Sequence, residues 1–162
     1  MRRALVAAGV ILALGVPNAL ILQKERLVAE GTPVLLELAP VDPRSLIQGD
    51  YMRLDYAIAR QMADSQEAWP RTGRVVVALG ESGVARLVRR HDDATPLRPG
   101  EHLLTYRRRG GRIRVGTDAF YFQETHMRRY LSARYGELRV APSGTSVLVG
   151  LRDSTFGVLG RN

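Results

Sequence analysis

Cysteine is absent from the 162-residue chain, so no disulfide can brace the fold. That absence suits an oxidising compartment and a reducing one equally and does not place the protein. Lysine is almost absent too: Lys24 is the only one, and every other basic side chain is an arginine or one of three histidines. A guanidinium stays protonated at any working pH, so a lysine-type general base has one possible position in the whole chain. There is no H-E-x-x-H spacing, no internal repeat and no low-complexity tract. The length suits one domain and an appendage, at roughly 150 residues per domain, and leaves no room for a second globular unit.

Charge is missing from one long run. From Ala4 to Leu22 there is no ionisable side chain, and the run lies between Met1-Arg2-Arg3 and Gln23-Lys24-Glu25-Arg26. Crossing a bilayer core of roughly 30 Å takes about 20 such residues. A cleaved signal peptide would have a shorter apolar region of about 7 to 15 residues and small side chains at its cleavage site. Here Leu20-Ile21-Leu22-Gln23-Lys24 are bulky or polar. The expectation is an uncleaved signal-anchor over residues 1–26, in which Pro17-Asn18 kinks the helix without breaking it. Positive charge flanks both ends and nearly ties. A short tail ahead of a first apolar segment behaves as a signal, so the tail is expected in the cytoplasm and residues 29–162 outside it.

The net charge of +8 divides unevenly: Arg2, Arg3, Lys24 and Arg26 against Glu25 place +3 beside the run and leave +5 for the domain. A basic domain next to a membrane is drawn to anionic headgroups by about 1 kcal/mol per well-placed cation.

After a connector over Leu27 to Gly31, the domain alternates short strands with turns. Thr32 to Leu38 reads as a strand with Val34, Leu36 and Leu38 on one face, and Ala39 to Gln48 as a loop. From Tyr51 a period of two sets Met52, Leu54, Tyr56 and Ile58 against Tyr51, Arg53, Asp55 and Ala57, the pattern of a half-buried strand. Ala59 to Trp69 suits a short helix closed by Pro70. Hairpins are predicted about Gly80-Glu81-Ser82-Gly83, about Gly110-Gly111 between His102–Tyr106 and Arg112–Val115, and about Ala141-Pro142-Ser143-Gly144. Ala119 to Phe122 reads as a short strand, and Gln123 to Tyr135 as a helix with Thr125 at its start and Gly136 as its stop. The whole reads as mainly β: an N-terminal transmembrane helix, then an antiparallel β barrel or sandwich with one or two short helices.

The densest chemistry lies at Gly49-Asp50-Tyr51-Met52-Arg53-Leu54-Asp55-Tyr56, introduced by Val41-Asp42-Pro43-Arg44-Ser45-Leu46-Ile47-Gln48. Gly49, Asp50, Tyr51, Leu54 and Tyr56 meet every fixed letter of the motif that names the bacterial GDYXXLXY proteins, which this chain resembles. Phe120-Tyr121-Phe122-Gln123-Glu124, Tyr130 and Ala133-Arg134-Tyr135-Gly136-Glu137-Leu138-Arg139-Val140 resemble the family's second block, so the likeness spans most of the domain. The resemblance implies an N-terminal hydrophobic segment and, for some members, a multi-pass membrane protein as companion. It implies no reaction.

Several chemistries can be weighed on the residues. Ser45 ahead of Gly49-Asp50 is reminiscent of membrane-anchored serine peptidases, which activate the hydroxyl with a nearby base. The one lysine stands at the membrane boundary, and His91, His102 and His126 sit in no catalytic signature. Metal candidates, His91-Asp92-Asp93 with His102 or Glu124 with His126, lack a recognised ligand spacing. Asp50 and Asp55 are five apart on a strand and face opposite sides. Asp50 suits a structural role instead, taking hydrogen bonds from turn amides or pairing with Arg44. Of Tyr51 and Tyr56, on opposite faces, one should be core. Arg107, Arg108, Arg109, Arg112 and Arg114 form a basic patch able to hold phosphate.

The expectation is a single-pass protein of the bacterial inner membrane with an extracytoplasmic binding or accessory module, working with an integral membrane partner. Its expected surface comprises Asp42, Arg44, Gly49, Asp50, Tyr51, Leu54, Tyr56, Gln123 and Glu124, with the arginine patch a place for anionic headgroups or an acidic polymer. No cofactor, metal or nucleic acid is called for, and enzymatic function is disfavoured. The alternative is an envelope hydrolase using Ser45 or the carboxylates of Asp50 and Glu124.

Overall fold

The computed structural model describes residues 2–39, 47–48, 51–122 and 127–160. Helix α1, Arg2–Glu30, runs unbroken through the expected connector and ends where the Gly31 amide donates to the Leu27 carbonyl at 3.0 Å. Pro17 lies inside it, and one turn below, the Asn18 side-chain amide donates to the Leu14 carbonyl at 2.7 Å. Leu12, Leu14, Val16, Leu20, Ile21 and Leu22 are all exposed. At about 100° per residue those positions ring the helix, so it has no single face to bury. Among the described residues no helix is long and apolar enough to cross a membrane. The transmembrane helix expected over residues 1–26 is therefore not supported among the described residues.

Among the described residues ten strands follow in three antiparallel sheets that together form a half-barrel. In the first, β1 (Thr32–Glu37) and β10 (Ser146–Arg152) flank β9 (Tyr135–Val140). In the second, β3 (Tyr51–Arg53) lies between β2 (Ile47–Gln48) and β8 (Ala119–Tyr121). The third runs β5 (Ala85–Arg90), β4 (Thr72–Leu79), β6 (Glu101–Arg109), β7 (Arg112–Val115), so β7 is an edge. The first and third sheets meet where Leu35 bridges Val84, its amide donating to the Gly83 carbonyl at 2.9 Å.

One core joins all three. Val34, Leu36, Met52, Leu54, Tyr56, Met62, Val75, Val77, Leu104, Tyr106, Leu138 and Leu151 belong to it. Trp69 meets Tyr106 edge-on at 5.4 Å, and Tyr130 packs against Phe120 at 5.1 Å and Phe122 at 5.3 Å.

The elements depart from expectation in three places. The strand begun at Tyr51 stops at Arg53, and helix α2 (Ala57–Asp64) starts two residues early, directly after Tyr56 bridges Leu38. Burial still alternates through Met52, Leu54, Tyr56 and Ile58, so the period of two reported the buried face correctly and the element wrongly. The helix ends at Asp64, not near Trp69, because Ser65 Oγ donates back to the Met62 carbonyl at 2.7 Å and accepts the Trp69 indole N–H at 2.9 Å. The helix expected to end at Gly136 is only α3, Met127–Tyr130, within the described residues, and Gly136 lies inside β9. The three hairpins form at the expected turns.

Candidate functional site

The described part of the motif is built by β3 and the chain that follows it. Tyr51 stands opposite Tyr121, their rings 5.8 Å apart and tilted by 39°, and Met52 stands opposite Phe120 in the core. Beyond Arg53 the chain is held by the Leu54 amide donating to the Asp118 carbonyl at 3.0 Å and the Ala39 amide donating to the Asp55 carbonyl at 2.7 Å. These bonds turn Leu54 and Tyr56 inward. Tyr56 is the core tyrosine of the pair, 2% exposed, and its hydroxyl donates to the Thr117 carbonyl at 3.1 Å. Burial first, and the Asp118 carboxylate second, push its phenol well above the ordinary tyrosine range. It therefore stays neutral and acts as a fixed donor joining the motif to the β7–β8 connection.

The arginine patch is built by the β6–β7 hairpin. Gly110 and Gly111 have φ of 57° and 77°, the left-handed pair a tight two-residue turn requires. The register then sets Arg107 opposite Arg114, Arg108 opposite Ile113 and Arg109 opposite Arg112. Since side chains alternate, Arg107, Arg109, Arg112 and Arg114 share one face and Arg108 points to the other. Like charges directly opposite one another repel, and Asp118 offsets part of this by pairing with Arg114 at 2.7 Å.

These two features line one groove. A cavity of about 520 Å³ lies between Tyr51, Arg53, Asp55 and Tyr56 on the motif side and Arg112 to Val115 on the edge strand, with Asp118 and Tyr121 at its end. Three arginines face two aspartates there. Asp118 pairs with Arg114 and Asp55 with Arg60 at 3.0 Å, whereas no carboxylate among the described residues pairs with Arg53 or Arg112. Tyr121 is 75% exposed, so its ring is open to an occupant. The groove thus offers two guanidinium groups with no carboxylate partner among the described residues, beside an aromatic pair, a combination suited to an acidic or planar group.

Of the expected surface, Tyr51, Leu54 and Tyr56 are placed as above, and Arg112 and Arg114 join them while Arg108 and Arg109 do not line the groove. Asp42, Arg44, Ser45, Gly49, Asp50, Gln123, Glu124 and His126 lie outside the described residues. His91 Nε2 is 3.1 Å from Asp93 Oδ1, which also receives Arg74 at 2.8 Å, and among the described residues no three His, Cys, Asp or Glu side chains could hold a metal ion. Sequence reasoning missed Arg53 as a groove residue, along with Asp118 and Tyr121. The hairpin register was a usable signal for the arginine face, but nothing local tells that β7 and β3 line one cavity.

The family model described as GDYXXLXY protein matches residues 13–151, from within α1 to the last strand. No curated protein and no solved structure matches the chain.

Proposed function

The chain belongs to the GDYXXLXY family, and from that premise we propose a membrane-anchored binding or accessory module of the bacterial envelope. Its domain lies on the extracytoplasmic side and recognises an acidic segment of an integral membrane partner. The observation that carries this reading is the groove, where the motif strand and the arginine hairpin line one cavity that holds Arg53 and Arg112, neither paired with a carboxylate among the described residues. An ion-paired wall would gain little from an acidic partner, whereas two guanidinium groups with no carboxylate partner among the described residues gain charge-assisted hydrogen bonds.

Anchoring is supported by the uncharged run from Ala4 to Leu22 and by the exposed apolar side chains that ring the helix from Leu12 to Leu22. Asn18 is the run's one hydrogen-bonding side chain, and its amide is partly satisfied within the helix, which lowers the cost of placing it in hydrocarbon. The topology proposed is a single pass with Arg2 and Arg3 on the cytoplasmic side.

Charge reversal tests the recognition. The full chain carrying Arg53→Glu and Arg112→Glu, solubilised from its native membrane in mild detergent, is expected to recover at least about tenfold less integral membrane partner than wild type. Equal recovery by a normally folded variant contradicts the reading.

A further inference from the structure

A second cavity, of about 370 Å³, lies on the other side of Arg114, and it is lined by Lys24, Arg107, Arg114, Thr105, Thr145 and Ser146. Three separate parts of the chain converge there: the last turns of α1, the arginine face of the β6–β7 hairpin, and the start of β10. The turn between β9 and β10 is fixed over β6 by the Thr105 amide, which donates to the Gly144 carbonyl at 2.9 Å, so the hydroxyls of Thr105, Thr145 and Ser146 are held in one wall. The one carboxylate in the lining, Asp118, is taken by Arg114. Lys24 and Arg107 have no acidic partner among the described residues.

We infer that this cavity is a binding site for a phosphate group. Three cations against one carboxylate give it a positive field. Hydroxyl donors beside ammonium and guanidinium groups are the complement that phosphate oxygens take. The arrangement also explains two features that are otherwise unfavourable. The Arg107–Arg114 repulsion, only partly offset by Asp118, is relieved further when an anion sits over it, and the only lysine of the chain stands at this one place. Lys24 follows the end of the exposed apolar run by two residues, so the site opens at the level where the run gives way to charge. A phosphate there can belong to an anionic lipid headgroup or to a soluble phosphate, and the two sources are separable.

The test uses the full chain in neutral detergent and in nanodiscs. In the first arm, nanodiscs of phosphatidylcholine mixed with phosphatidylglycerol are dissolved in neutral detergent, and retained lipid is read by native mass spectrometry. In the second, inorganic phosphate is titrated against the lipid-free protein and the melting temperature is followed. Wild type is expected to retain phosphatidylglycerol over phosphatidylcholine or to be stabilised by inorganic phosphate, the first identifying a headgroup and the second a soluble phosphate. The Lys24→Gln, Arg107→Gln variant should weaken whichever response is seen by about 30-fold, the loss of two well-placed cations. Arg71→Gln with Arg86→Gln removes the same charge from exposed positions elsewhere and should leave the response intact. The inference is overturned if neither anion binds, or if both double variants lose binding equally.

Discussion

Tyr56 and Gly136 approach so closely that a Cβ on the glycine would lie 3.0 Å from the tyrosine Cε1 and 3.2 Å from its hydroxyl oxygen. The motif's last tyrosine is thus seated against the glycine of the block that resembles the family's second, inside β9. Gly136→Ala is expected to destabilise the protein by about 1–3 kcal/mol, the usual effect of overfilling a packed core. Chemical denaturation of the full chain in detergent measures it, and an unchanged midpoint contradicts the packing role.

Two buried tyrosines should respond oppositely to loss of the hydroxyl. Tyr56→Phe removes a donor from the Thr117 carbonyl and is expected to cost about 1 kcal/mol. The Tyr106 hydroxyl is buried with no partner among the described residues, so Tyr106→Phe should be neutral or stabilising by up to about 1 kcal/mol. Paired thermal melts decide this, and equal shifts for both variants would refute the assignment.

Alkaline unfolding should report Tyr56. Its folded-state acidity is weaker than the unfolded value of 10.0, so the folded state holds the proton more tightly. The associated stability is fully present below about pH 10 and is lost as pH rises beyond it. The melting temperature should therefore stay level to about pH 9 and fall above it. Tyr56→Phe should flatten that fall. An identical alkaline profile in the variant contradicts the argument.

Arg107 carries a stability penalty at its place opposite Arg114. Arg107→Glu converts a repulsive cross-strand pair into an attractive one, worth about 0.2–1 kcal/mol at low salt. The gain should shrink at high salt, where exposed charges are screened. A loss of stability at low salt contradicts the repulsion.

Local chemistry made the hairpins legible. Gly110-Gly111 admits the left-handed pair that a two-residue turn needs, and the register of the arginines follows from it. Alternation from Met52 to Ile58 likewise reported which side chains face the core. What remained illegible depends on contacts between distant segments. Gly136 resembles a helix stop until the Tyr56 ring is placed beside it, and Trp69 resembles a helix end until its indole reaches Ser65. The groove is of the same kind: Tyr51 meets Tyr121 because β3 pairs β8, and Arg53 and Arg112 come to line one cavity through segments far apart in the chain.

Site-specific photo-crosslinking from the groove tests the central claim most directly. A photoreactive residue in place of the exposed Tyr121, in the full chain in its native membrane, should give an adduct with an integral membrane protein. The same residue in place of Glu81, on the exposed turn between β4 and β5, should give none. Adduct formation at Tyr121 should fall in the Arg53→Glu, Arg112→Glu background. Equal adducts from both positions, or a Tyr121 adduct that persists after charge reversal, would contradict recognition through this groove.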